Sequence, residues 1–462
     1  MIGARWGLSP DKIIWVYNAI IKPIMTYACV TWAPRLLENK SMMKPLNRPG
    51  NLALLLASGA QSTSSQEALH HLFSLLPATL ELEKSALLQA LRLKSLDHWP
   101  TLHVDHSIRK SFEPCQTVID RILAKIFGRY DKETNDLTKP TDISAKNYNL
   151  YIGEANMVPI NPVNYIFTAY TDGSKHTKTD NSTGYGVVIF LDTDHWITEN
   201  YVLSTDHTVF QTEAHALYRA SILINDILAS PSYTEHRVII YTDSQALIKA
   251  LQNAYTVSKT IVNLHNSLNT MSSNHYTSIE WVPGHVGHYG NEMADKLANI
   301  RNVTSNPELE LIKPLTPHIT FKNKISNYIL NKHRKRFQGS KISENTKKLV
   351  NAIAVHNLQG QHLFKLGFDV IKPLVRLITG HNNLNHFQNL IKFTTPPYCS
   401  FCDEDVHETA LHLICDCEKF AALRMQTFGE DPITIDQLMR FISLSKKKDL
   451  SILLNFVGDI EL

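Results

Sequence analysis

Apolar positions recur at helical spacing near the start of the chain. Ile13, Ile14, Val16, Tyr17, Ile20 and Ile21 form one face of a helix expected over residues 9–29. Ser9 is placed to cap it, Pro10 suits its first turn, and Pro23 is expected to kink or end it. A second helical block covers about residues 64–96, with Leu69, Leu72, Leu75 and Leu76 interrupted at Pro77 and resumed by Leu80, Leu82, Leu87, Leu88 and Leu91. Everything to about residue 127 therefore reads as helical. Residues 131–164 are polar and broken by Pro140, Pro159 and Pro162, the pattern of a linker with weak local structure.

The period then changes. Residues 165–172, 184–192 and 195–204 are rich in Val, Ile, Tyr and Phe between short polar turns, which predicts three consecutive strands. Residues 209–229 return to helical spacing, with Leu217, Ala220, Ser221 and Ile224 on the face that begins at Glu213 and with Thr208 and Gln211 placed as a reciprocal capping box. A strand at Val238–Tyr241, helices at about 244–252 and 257–271, a strand at Ile279–Val282 and a helix carrying Asp295 complete an α/β arrangement with a five-stranded sheet. Pro307, Pro314 and Pro317 mark a further linker over about 302–320. A basic helix follows at about 320–350, then more helix to about 395, a cysteine cluster, and amphipathic helices to the end.

Length and composition add bounds. At 462 residues the chain exceeds one ordinary core, so two or three domains are expected. A hydrophobic share of 43% and a charged share of 19% are those of a globular protein. The net charge of +3 does not by itself mark a nucleic-acid binder. The first residues lack the apolar core of a signal peptide, and no uncharged apolar run is long enough to predict a membrane span. Of six cysteines, Cys399, Cys402, Cys415 and Cys417 fall within nineteen residues, a crowding that argues for metal before disulfides and for an intracellular, reducing setting.

The candidate chemistry lies in five short pieces. Four hold a carboxylate: Asp172 in Tyr170-Thr171-Asp172-Gly173-Ser174, Glu213 in Gln211-Thr212-Glu213, Asp243 in Tyr241-Thr242-Asp243-Ser244-Gln245, and Asp295 in Gly290-Asn291-Glu292-Met293-Ala294-Asp295. The fifth, Trp281-Val282-Pro283-Gly284-His285, places a histidine ten positions before the last aspartate. Singly, each acid reads as a helix cap or a solvated charge. Carboxylates gathered on one concave surface repel one another unless cations lie between them, and paired hard divalent metals hydrolyse phosphodiesters. In order and context the pieces resemble the type 1 ribonuclease H family, over about residues 163–303.

That resemblance implies cleavage of the RNA strand of RNA–DNA hybrids with two Mg²⁺ (or Mn²⁺) ions about 3.5–4 Å apart. It implies that Asp172 bridges both ions, that Glu213 and Asp243 complete one and Asp295 the other, and that His285 assists proton transfer or product release. It further implies a phosphate contact at Thr208 and a nucleic-acid contact at Gln245. Val209-Phe210 departs from the asparagine- or glutamine-bearing segment of many cellular members, which bears on substrate grip.

The flanks carry weaker likenesses. Trp6-Gly7-Leu8-Ser9, the Pro23–Trp32 segment and Ala57-Ser58-Gly59-Ala60 resemble the region after the polymerase palm in non-LTR retrotransposon reverse transcriptases, over roughly residues 1–130. No two aspartates adjoin anywhere, so the paired-aspartate motif of the palm itself is absent. Cys399, Cys402, His412 and Cys417 have the spacing of a tetrahedral structural Zn²⁺ site, with His407 and Cys415 as spare candidates, and resemble the cysteine–histidine segment after ribonuclease H in insect-type retroelements. Lys322 to Lys348 hold nine basic residues against one acid, either a phosphate track or a solvated helical face.

The expectation is a helical segment at 1–130, a linker at 131–162, a ribonuclease H-like α/β domain at 163–303, a linker at 304–320 and a helical segment with the Cys–His cluster at 321–462. The expected activity is metal-dependent cleavage of RNA–DNA hybrids, with a separate polymerase portion as a partner and no membrane. The alternatives are a catalytically idle nucleic-acid-binding remnant and a module that docks a polymerase.

Overall fold

A computed structural model describes residues 8–37, 40–99, 115–128, 134–152, 166–175, 182–191, 195–230, 236–300, 315–356, 363–365, 367–392, 395–402, 405–442, 452–453 and 455–458. Met1–Gly7 and the expected linker prolines Pro159, Pro162, Pro307 and Pro314 lie outside these.

The first helices are α1 (Pro10–Val16), a π-helical turn at Tyr17–Ile21, α2 (Lys22–Thr26), α3 (Cys29–Leu37), α4 (Lys40–Ser58), α5 (Gln66–Leu72), α6 (Ala78–Ser95) and α7 (Cys115–Phe127). Next come β1 (Leu137–Asp142), β2 (Asn149–Tyr151), β3 (Ile166–Lys175), β4 (Thr183–Leu191), β5 (His195–Leu203), α8 (Val209–Leu228), β6 (Arg237–Thr242), α9 (Gln245–Gln252), β7 (Tyr255–Ser258), α10 (Lys259–Met271), β8 (Tyr276–Trp281) and α11 (Tyr289–Ala298). The last are α12 (His318–Gln338), α13 (Glu344–His356), α14 (Phe368–Thr379), α15 (Asn385–Lys392), α16 (Ala410–Cys415), α17 (Ala421–Phe428) and α18 (Ile435–Ile442).

The chain forms two compact units: Met1–Ala90 with Arg109–Ile126 and Ile325–Leu462, and Leu91–Ile108 with Phe127–Lys324. In the first, helices from both ends of the chain share one core, which runs from Ile13, Tyr17 and Leu54 through Phe337 and Leu374 to Phe456. The chain does not break at Pro23. The π-helical turn just before it leads straight into α2, with Lys22 N–H on Tyr17 O, and this wider turn takes in the residue that lacks an N–H.

The second unit is built on a six-stranded mixed sheet in the order β2-β8-β6-β3-β4-β5. β2, β8, β6 and β3 run parallel to one another, and β3-β4-β5 form an antiparallel meander. This corrects the expected five strands. The sixth is β2, which pairs Asn149–Tyr151 with Ser278–Glu280 from within a stretch that reads as linker. Three residues at a sheet edge are too few to show an alternating pattern. β1 and β7 form a separate two-stranded ribbon, again where the expectation was a linker and the start of a helix. Asp136 fastens this ribbon. Its carboxylate accepts from Ser258 Oγ (2.7 Å), Thr260 N (2.8 Å) and Thr260 Oγ1 (2.8 Å).

One face of the sheet packs Phe167, Ala169, Val187, Ile189, Val238, Ile240 and Ile279 against Leu217, Ala220 and Ile224 of α8, Leu247 and Leu251 of α9, and Leu264 and Leu268 of α10. Burying a side chain of this size stabilises by about 1.5–3 kcal/mol. α11 packs directly on β3 and β4, and glycine lets it approach. A Cβ on Gly186 would lie 2.2 Å from Ala294 O and 2.7 Å from Ala298 N.

Candidate active site

The topology brings the four acids together. Asp172 sits in β3, paired with Gly186 of β4, against which α11 packs at Ala294. The next residue of that helix, Asp295, therefore arrives beside Asp172, and the two carboxyls come within hydrogen-bonding reach. Asp243 follows β6, whose Thr242 pairs in parallel with Thr171, so Asp172 and Asp243 extend from neighbouring strands at the same level. Glu213 comes from α8 at a point where the helix touches β3, since a Cβ on Gly173 would lie 2.5 Å from Glu213 N. Glu213 is the fifth residue of α8, one place past its first turn.

Three of the four carboxyls are held above their ordinary range. Burial raises Asp172 most, the Asp243 and Asp295 carboxylates add to it, the Gly173 N–H opposes it, and the result is about 7. Burial also raises Glu213, opposed by the Ser244 hydroxyl and helped by the Asp243 charge. Asp243 is raised by burial and by Asp295, against its own backbone N–H, His285 and Asn291. Among the described residues no lysine or arginine pairs with any of the four; the nearest partner is the imidazole of His285, with Nδ1 3.8 Å from Asp295 Oδ2. Clustered negative charge without a protein cation is the condition that hard divalent ions relieve.

Each carboxylate has a local donor. Gly173 N donates to Asp172 Oδ1 (2.7 Å), Ser244 Oγ donates to Glu213 Oε2, Asn299 Nδ2 donates to Asp295 Oδ1 (2.9 Å), and Asn291 reaches Asp243. Trp281 Nε1 holds the backbone, donating to Asp243 O at 3.0 Å. Ser244 also accepts from Leu247 N (3.3 Å) as the N-cap of α9, so the expected cap and the cluster share one hydroxyl. Sequence reasoning missed the roles of Asn299, Asn291 and Trp281. The last two lie in the quoted pieces, and Asn299 carried no signal beyond its place four residues after Asp295.

His285 is brought to the cluster on an exposed loop, with its side chain 81% accessible and a left-handed backbone (φ 56°). Thr208 caps α8, accepting from Gln211 N at 3.4 Å. The expected box is only half formed, because the buried Gln211 amide does not return a bond to Thr208. Gln245 is exposed in the first turn of α9, and Val209 is 39% exposed in the first turn of α8.

The Cys–His cluster also assembles, in the helical unit. The ligand atoms of Cys399, Cys402, His412 and Cys417 all lie within 4.8 Å of one another. The separations are 3.9 Å for Cys399–Cys417 Sγ, 3.7 Å for Cys402–Cys417 Sγ and 3.4 Å for Cys402 Sγ to His412 Nε2. A tetrahedron with Zn–S bonds of about 2.3 Å has edges of about 3.8 Å, so the cage has the size zinc requires. His412 Nδ1 faces Asp416 Oδ1 at 3.1 Å, which orients Nε2 into the cage. The spare candidates fall outside it: Cys415 is buried with its thiol pushed up to about 12, and His407 stacks on His386 at 4.8 Å.

Much of the basic stretch is committed internally. Lys324 pairs with Asp206 (2.6 Å), Lys332 with Glu83 (2.6 Å), Arg336 with Glu67 (2.9 Å) and Lys347 with Glu344 (2.9 Å). Among the described residues no helix is long and apolar enough to cross a membrane.

Comparison with known proteins bears on the same segment. The RNase H family model matches residues 164–302. Ribonuclease H1 of Mus musculus is 24% identical over 179 residues, which is 36% of this chain and 57% of that protein, and Ribonuclease H1 of Rattus norvegicus gives the same figures. The chain thus spans somewhat over half the length of these curated relatives. Among solved structures, RNase H1 from the halophilic archaeon Halobacterium salinarum is 23% identical, covering 29% of this chain and 95% of its own, with a TM-score of 0.23. The segment that carries all four clustered acids, residues 164–302, is an RNase H domain.

Proposed function

We propose that this domain hydrolyses the RNA strand of RNA–DNA hybrids, with two Mg²⁺ (or Mn²⁺) ions held by Asp172, Glu213, Asp243 and Asp295. The observation that carries the reading is the convergence of four carboxylates from β3, α8, the end of β6 and α11, three of them raised and, among the described residues, none paired with lysine or arginine. The donor set fits hard oxygen-preferring ions. When bound, such ions activate water and stabilise charge on the leaving oxygen. The chain supplies the rest. Asp172, which feels the charge of both Asp243 and Asp295, would hold the ions together with those two and Glu213. His285 on its exposed loop accepts or delivers the proton and is free to move as product leaves. Thr208 and Gln245, at the N-termini of α8 and α9, would contact a strand phosphate and the nucleic acid respectively.

The cysteine–histidine cage is a structural Zn²⁺ site, supported by its edge lengths and the Asp416 contact. The order of helical segment, RNase H domain and Cys–His tail supports an intracellular origin in a non-LTR retrotransposon polyprotein, with a separate polymerase portion as partner.

The test is cleavage of a labelled RNA–DNA hybrid, beside single-stranded RNA and duplex RNA, with and without Mg²⁺. Cutting of the hybrid alone, dependent on metal and lost in Asp243→Asn while hybrid binding persists, is the expected result. A folded protein that binds hybrid and cuts nothing with either metal would make it an idle binding remnant.

A further inference from the structure

Asp295 is the one member of the cluster delivered by the last turns of a helix. Its side chain is 31% exposed, so packing alone does not fix it. An unrestrained aspartate samples several staggered wells, and only some aim a carboxylate oxygen into the cleft. Asn299, the C-cap of α11, supplies the restraint. Its single amide group donates twice to the same residue, to Asp295 O at 2.8 Å and to Asp295 Oδ1 at 2.9 Å. Its backbone N–H also meets Asp295 O at 3.1 Å. The two side-chain bonds tie the carboxylate to its own backbone. Oδ1 is thereby occupied, and Oδ2, which faces His285 Nδ1, is left toward the cluster.

We propose that Asn299 is a positioning residue that presents Asp295 to the divalent cation through one oxygen. It rests on the proposed metal-dependent reading of the cluster. Nothing in the pattern of carboxylates calls for an amide at this place, so the residue belongs to how this chain holds its fourth ligand. Outer-shell partners of metal ligands are worth about 10–100-fold in metal affinity, and an exposed donor belongs at the low end.

The test is Mn²⁺ binding to the full chain, read by loss of the free-ion electron paramagnetic resonance signal, alongside thermal melting. Asn299→Ala is expected to bind Mn²⁺ about tenfold more weakly at an unchanged melting temperature. Asn299→Gln, which keeps the donor on a longer arm, is expected to recover part of the loss. Wild-type and Asn299→Ala chains that bind Mn²⁺ equally would overturn the positioning role. A melting temperature that falls in step with affinity would reduce Asn299 to a helix cap. A wild-type chain that binds no Mn²⁺ would overturn the metal reading itself, and with it this proposal.

Discussion

The carboxylate cluster makes the metal-free protein sensitive to pH in an unusual direction. Burial and the neighbouring Asp243 charge hold Asp172 at about 7 in the folded chain, against 3.8 when unfolded. Between those values the native state keeps a proton that the unfolded chain has released. Stability then falls as pH rises, because the state that binds more protons loses ground. Below 3.8 the contribution is complete, and by about 7 it is spent. A shift of about three units at 1.36 kcal/mol each gives about 4 kcal/mol. At 2–4 °C per kcal/mol for a unit of this size, that is roughly 10 °C in melting temperature. Glu213 and Asp243 are shifted the same way and reinforce the sign.

Because the chain has two units, the measurement must report on the sheet. Amide exchange of peptides from β3, β4 and β6, followed in the presence of a chelator, does so. Protection is expected to drop between about pH 4 and about pH 7 after correction for intrinsic exchange. Saturating Mg²⁺ is expected to restore it at the upper pH, since an ion that binds only the folded site stabilises it. Asp172→Asn, neutral throughout, is expected to remove most of the slope. Protection that stays flat or rises with pH in the wild type would refute the account of the cluster as uncompensated buried charge.

Other expectations follow from single contacts. Gly284→Ala would place a Cβ 2.9 Å from Asp243 Oδ2, so the carboxylate must move; hybrid cleavage is expected to fall about 10–100-fold with little change in melting temperature. Asp136→Ala strips the acceptor from the buried N–H of Thr260 and from two hydroxyls; a loss of about 2–4 kcal/mol in denaturant unfolding is expected, and a loss under about 0.5 kcal/mol would show the β1–β7 ribbon to be dispensable. Metal analysis of the chain purified without chelator is expected to find one Zn²⁺, lost in Cys417→Ser together with protection in α16.

What could be read from the residues alone was set by distance along the chain. The five candidate pieces are each short and local in sequence, so their order announced the cluster. The Cys399–Cys417 cage was legible for the same reason: all four ligands lie within nineteen residues. Partnerships across the chain were not. β2 declares itself only through Ser278–Glu280, and β7 only through Leu137–Asp142, more than a hundred residues away. The shared core of the two helical ends has no local trace either, since Tyr17 and Phe456 carry no mark of one another.

The same distinction applies to the chain upstream of the RNase H match, whose contacts reach behind the cluster. The match begins at residue 164, yet Asp136 lies among Ser258, Thr260 and Gln211, and Gln211 stands two places before Glu213 at the start of α8. Gln211 is 3% exposed and its side-chain amide makes no hydrogen bond of good geometry, so removing the Asp136 side would leave a buried amide against a cavity. β2, from the same upstream stretch, covers the edge of β8, the strand whose Trp281 holds Asp243 O. A domain cut at its family boundary would keep all four clustered carboxylates and lose contacts behind two of them. The pieces that bear the clustered acids are short and recognisable; the pieces that support them are polar, distant and ordinary in sequence.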